Sequence, residues 1–259
     1  MSLVSTYKPQ NGVFGKPADV KPKNLEYWSK EVTNKPKDLR NLVFKPIYHV
    51  INWAKLFNPS IGQSWLNLAA STKDVKNALS AAEIPPSAYA FGTNIWELIA
   101  GTSKESAGKQ VERTVLSGAG LVNPVCELTF FAASRKVILL SARAMARASA
   151  INALALFFIS VSNFQKVTNS VSCSQKQIAT LSKRARLNTD KIDLEKQKIV
   201  LARMSQGKWA SYFTLSTISL ASFAGFISTA PWVFLALTTS ALSCNIGAFF
   251  HSRRYDIKA

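Results

Sequence analysis

Apolar residues in this chain gather into long stretches at helical rather than alternating spacing, and this predicts an all-α fold. The longest runs from Trp209 to Phe250, 42 residues without a charge. A helix rising ~1.5 Å per residue needs roughly 20 apolar residues to cross a ~30 Å hydrocarbon core, so the stretch predicts two passes rather than one. Gly225, Ser228 and Thr229 precede Pro231, which lacks a backbone donor and disfavours helix just before itself. The pattern reads as a transmembrane hairpin within residues 208–251, with arms Trp209–Ile227 and Trp232–Phe250 and a turn at Ser228–Pro231. Ser216, Ser219, Ala221, Ala224, Ala236, Ser240 and Ala241 would let the arms approach closely. Lys208, Trp209, Trp232, Arg253 and Arg254 are the candidate interface anchors, and their cations place both ends of the hairpin on the cytoplasmic side.

A second uncharged stretch, Ala148–Gln165, carries several Ser, Asn and Gln residues, and its apolar heart is about 12 residues long. That length suits a core or interfacial helix better than a span, and the stretch stays ambiguous. The remainder of 63–207 reads as helical, with Pro85-Pro86, Gly101 and Ser117–Gly120 as breaks. On a helix across 135–150, Lys136, Arg143 and Arg147 would fall within about 40° of one another, opposite Ile138 and Met145. Between 173 and 206, Ile178, Leu181, Ala185, Ile192 and Ile199 give an incomplete heptad, with a break expected near Asn188-Thr189-Asp190. Residues 1–62 read as an extended Pro/Lys-rich tail, because Lys-Pro pairs recur along it. Within that tail, Asp38–Phe57 is apolar enough to dock, with Pro46 as a kink, and residues 252–259 form a basic C-terminal tail.

Charge sharpens this picture. There are 32 Lys and Arg against 14 Asp and Glu, a net charge of +18, yet charged residues make up only 18% of the chain against roughly 25% in soluble domains. An ordinary cytosolic enzyme is therefore a poor description. Residues 1–60 hold ten cations against four acids and 166–208 ten against three. Candidate contacts for anionic lipid or another anionic partner are Lys136, Arg143, Arg147 and the cluster Lys183, Arg184 and Arg186. Three scattered cysteines and two histidines supply no metal motif, nucleophile–base pair or cofactor fingerprint, and no signal-peptide core precedes residue 30. The reading is of a non-enzymatic protein with no metal and no cofactor.

An uncharged two-lobed hairpin at Trp209–Ile227, Ser228–Pro231 and Trp232–Phe250 resembles that of the chlamydial inclusion membrane proteins, while the large basic region before it departs from their usual pattern. That resemblance, a hydropathy pattern over about a sixth of the chain, implies type III secretion, insertion in the membrane of a pathogen-containing vacuole, and both termini in host cytosol. Residues 1–207 would then meet host protein or lipid partners. An alternative is an organelle membrane-shaping protein similar to the peroxisomal elongation factors, wedging basic amphipathic helices into one leaflet. A further alternative is a basic helical nucleic-acid binder, though no recognition motif or stacking platform flanks Lys183–Arg186.

Overall fold

The computed structural model describes residues 32, 35–103, 105–183, 185–255 and 257, without the side chains of 185–188. The first half of the predicted tail lies outside these residues. From Pro36 onward the chain is helical, and no strand occurs among the described residues. Helix α1 (Pro36–Leu39) passes through one wide π turn, Arg40–Phe44, into α2 (Lys45–Phe57). The turn sits just before Pro46, whose ring would crowd the carbonyl four residues back in a regular helix. The extended tail expected up to residue 62 is thus replaced here by helix. Its apolar residues dock, and Trp53 Nε1 donates to Thr239 Oγ1 at 3.0 Å on the C-terminal helix.

Helices α3 (Gln63–Ala81) and α4 (Ile84–Ala100) meet at the predicted Pro85-Pro86 break, with the prolines opening α4 where missing donors do no harm. Gly101 closes α4 in the left-handed region at φ 62°. Four long helices follow: α5 (Ala107–Ser134), α6 (Ala142–Ser182), α7 (Ala185–Phe223) and α8 (Pro231–Arg254).

Three expected boundaries move. Ser117–Gly120 does not break the chain but lies inside α5, where a Cβ on Gly118 would sit 2.9 Å from the Phe91 ring. The glycine serves the close approach of α4 to α5. Asn188–Asp190 lies inside α7, and the break falls earlier, between Ser182 and Ala185. The first hairpin arm ends at Phe223 rather than Ile227, because Gly225 at φ 78° closes α7. There Gly225 N–H donates to Ser222 and Phe226 N–H to Ala221.

The helix expected across 135–150 is also divided. Lys136 takes the left-handed conformation, φ 59°, while its N–H donates to Ala133 and that of Val137 to Ala132, the same closing pattern as at Gly225. Ser141 then caps α6 by accepting from the Ala144 N–H. Lys136 and Ile138 therefore belong to a turn, and the basic strip with Arg143 and Arg147 does not form on one helix.

Successive long helices run antiparallel. Cys126 lies against the Ala148 carbonyl and Ser162 bonds Glu112 across α5 and α6. The Phe157 and Phe213 rings meet at a tilt with centres 5.2 Å apart, and Gln206 bonds Thr168 across α6 and α7. Lys208 bonds Asn245 and Ser211 bonds Ser240 across α7 and α8. The 148–165 stretch thus lies beside the apolar half of α7.

Small residues are among the most deeply buried on the long helices, with Ser160 and Ala241 at 0% exposure and Ser216 at 1%. Large side chains point away: on α6, Ala153, Ala155, Ser160 and Ser162 are buried while Ile151, Leu154, Phe158, Val161 and Phe164 are exposed. A water-soluble helix would put the larger apolar groups inside. Among the described residues three helices are long and apolar enough to cross a membrane, α5, α6 and α8, and only 11–17% of their apolar stretches is buried within the chain. Of the two predicted arms, the second lies in such a helix. The ambiguous 148–165 stretch also belongs to one, and α5 adds a third that the sequence pattern did not single out.

Candidate functional site

Helices α1 and α2, with the π turn between them, pack over α3 and α8, and a cavity of about 800 Å3 lies between these elements and residues of α5, α6 and α7. Its polar wall begins at Arg40, only 4% exposed. Arg40 Nη1 donates to Ser80 Oγ at 2.6 Å and lies 3.3 Å from Glu127 Oε2, while Nη2 lies 2.9 Å from Glu83 Oε1. The Ser80 hydroxyl donates in turn to Glu127, and Lys76 Nζ stands 4.0 Å from the other oxygen of that carboxylate. Arg40 Nε has no hydrogen-bond partner among the described residues. One guanidinium from the π turn thus ties together α3, Glu83 ahead of α4, and α5.

Four further lysines line the cavity, Lys37, Lys45, Lys55 and Lys208. Six cationic side chains therefore face two carboxylates, and those carboxylates are engaged by Arg40 and Lys76. Among the described residues no carboxylate lies within 4 Å of Lys37, Lys45, Lys55 or Lys208. Burial pushes the Lys45 ammonium down to about 7, and Arg40 and Lys76 press in the same direction against the attraction of Glu127 and Glu83. Lys76 is lowered by burial, Arg40 and Lys73, with Glu127 opposing. Burial, with Lys45 and Lys76 nearby, takes His49 to about 4, so its ring is neutral near pH 7, with Nδ1 3.5 Å from Thr239 Oγ1. Burial and Lys37 lower Lys208 to about 8, while its Nζ donates to Asn245 at 2.9 Å and stands 4.7 Å from the centre of the Trp209 ring.

The remaining wall is apolar and aromatic. Leu156, Ile159, Trp232, Phe234, Leu235 and Leu242 contribute to it, and on α8 it extends from Pro231 to Asn245. Fourteen residues of helical rise make that about 21 Å. The arrangement can hold an anion against cations at one side of an apolar groove.

Of the predicted contact residues, the structure brings Lys208, Trp209 and Trp232 into this cavity. Lys136, Arg143, Arg147 and Lys183 are exposed and lie elsewhere, Lys183 at the C-terminal cap of α6. Arg184 and the side chain of Arg186 fall outside the described residues. Arg253 lies over Phe249 at 5.3 Å and Arg254 over Tyr255 at 5.7 Å, at the end of α8. Sequence reasoning missed Arg40, Lys45, Lys76 and Glu127. A signal existed for Glu127, the single charge between Arg113 and Arg135 in an otherwise apolar stretch, since such a group demands a partner. Among the described residues no group of three His, Cys, Asp or Glu side chains could hold a metal ion. Compared with protein-family models, with curated proteins and with solved structures, the chain matches none.

Proposed function

We propose that this chain is a non-enzymatic integral membrane protein whose α5–α6 and α7–α8 hairpins sit in the bilayer and whose basic helical extensions face the cytosol. The observation that carries this reading is the inverted packing of the 148–165 stretch of α6, where Ala153, Ala155, Ser160 and Ser162 are buried and Ile151, Leu154, Phe158, Val161 and Phe164 exposed. Lipid tails are as apolar as those side chains, so helices in a bilayer associate through close contact of small groups. The apolar segments of α6, α7 and α8 also lie side by side, as the Phe157–Phe213 and Ser211–Ser240 contacts require.

In its finer form the reading follows the resemblance to inclusion membrane proteins: a secreted protein inserted in a vacuole membrane, presenting the basic region to protein or lipid partners in host cytosol. The test is carbonate extraction of the full chain expressed in cells, with protease protection of tags at both ends. Retention in the pellet with both tags digested is the expected outcome. Release into the supernatant would return the chain to the class of soluble helical bundles.

A further inference from the structure

We propose that the cavity between α2, α7 and α8 is a binding site for a phosphate monoester carried on an apolar body, the chemistry of an acidic phospholipid. The site stands on the cavity itself, and only the lipid source of the phosphate rests on the membrane reading above.

The argument starts from charge. Arg40 is buried and engages both carboxylates of the cavity wall, and Lys76 shares one of them. Lys45 and Lys208 place their side-chain nitrogens in the same cavity with no carboxylate within 4 Å among the described residues. An uncompensated cation held away from water is unfavourable, and an anion entering the cavity removes that penalty. A carboxylate would answer one lysine, whereas a phosphate monoester carries close to two charges near neutral pH and three strong acceptor oxygens. The unpartnered Arg40 Nε is a further buried donor in the same wall.

Shape supplies the second half. A phosphate is a few ångströms across, far shorter than the roughly 21 Å over which α8 lines the groove. The surplus length is walled by Trp232, Leu235, Leu242, Leu156 and Ile159, which suit an aliphatic body rather than a second polar group. Lys208 bonds Asn245 and Lys37 lies near Lys208, so cations stand at the Asn245 end of the groove, while Trp232 lines it beside Pro231.

The experiment is calorimetric titration of the full chain in an uncharged detergent with four probes: dioctanoyl phosphatidic acid, dioctanoylglycerol, glycerol 3-phosphate and inorganic phosphate. Phosphatidic acid is expected to bind, and dioctanoylglycerol, the same body without phosphate, to bind at least about tenfold more weakly. K45Q/K208Q should weaken phosphatidic acid at least about tenfold, K208Q alone should weaken it severalfold, and K136Q/R143Q, far from the cavity, should change it less than about twofold. If glycerol 3-phosphate binds as tightly as phosphatidic acid, the phosphate site holds and its source is a soluble ester. Equal affinity for dioctanoylglycerol, no binding by any phosphate-bearing probe, or unchanged binding in both lysine variants would overturn the site. Carbonate extraction reads the membrane assignment separately, so a chain that binds phosphatidic acid yet washes off membranes would remove that assignment alone.

Discussion

Lys45 shows how much a single half-buried charge can govern. Its ammonium ionises near 7 in the folded chain and near 10.5 in an exposed one, with Arg40, Lys76, Glu83 and Glu127 as its charged neighbours. Between those values the unfolded chain holds a proton that the folded chain has released, so stability rises with pH; below about 7 both states are protonated and the penalty is complete. His49 shifts lower down, between about 4 and 6.5, while Lys208, lowered to about 8, and Lys76, also lowered, act in the same direction as Lys45. Thermal unfolding in detergent should gain at least about 1 kcal/mol between pH 6.5 and 8, and K45M should reduce that gain by about 1 kcal/mol. A flat profile in the parent chain would mean that the ammonium is already paired. Glu127 is the complementary case. E127L leaves Arg40 and Lys76 facing an apolar group and should destabilise by on the order of 3 kcal/mol, whereas R40M/E127L should recover much of the loss. Equilibrium unfolding of the two variants checks it. The lone Glu127 in an apolar run announced that a partner exists, but not that it would come from residue 40, because a contact across 87 positions leaves no local pattern.

At the scale of elements, local chemistry was legible where a residue acts on its own backbone and misleading where a neighbour decides. Pro85-Pro86, Gly101 and Gly225 punctuate the helices much as their backbone preferences predict. Gly118 belongs to the other class, its value lying in the ring of Phe91 packed against it, and a helix runs through it. Lys136 was unreadable because a lysine carries no signal for the left-handed conformation, yet it closes α5 in the way Gly225 closes α7. The pair yields opposite expectations. K136G relieves a strained Cβ and should stabilise by about 0.5–1 kcal/mol, while G225A introduces one and should destabilise by about 1 kcal/mol. Unfolding midpoints of the two variants would check this, and a loss in K136G would show that the lysine side chain contributes more than its backbone costs. G118V should cost roughly 1–3 kcal/mol, since the Phe91 ring must move.

For the whole molecule, the register of the long helices decides which turns share a side. α6 is 41 residues, about 61 Å, whereas the apolar stretch at its N-terminal half needs only about 27 Å. The surplus runs on with the first half of α7 as an antiparallel pair, joined by the Gln206–Thr168 bond. Because α5, α6, α7 and α8 alternate in direction, the 135–141 and 224–230 turns fall at one end. The Ser182–Ala185 break and Arg254 belong to the other. The first end exposes Val137, Leu139 and Phe226 and holds Arg135, Lys136, Arg143 and Arg147. The second carries Lys166, Lys176, Lys183, Lys191, Lys196, Lys198 and Arg203, the larger positive load. On the membrane reading proposed above, the positive-inside rule would turn that load to the cytoplasm. In a variant lacking Cys126, Cys173 and Cys244, a cysteine placed at Leu139 or Phe226 should resist a membrane-impermeant maleimide added from the cytoplasmic side. One at Ser182 should react. Labelling of Leu139 and Phe226 from opposite sides would mean that the two hairpins do not cross the bilayer in the register their side-chain contacts define.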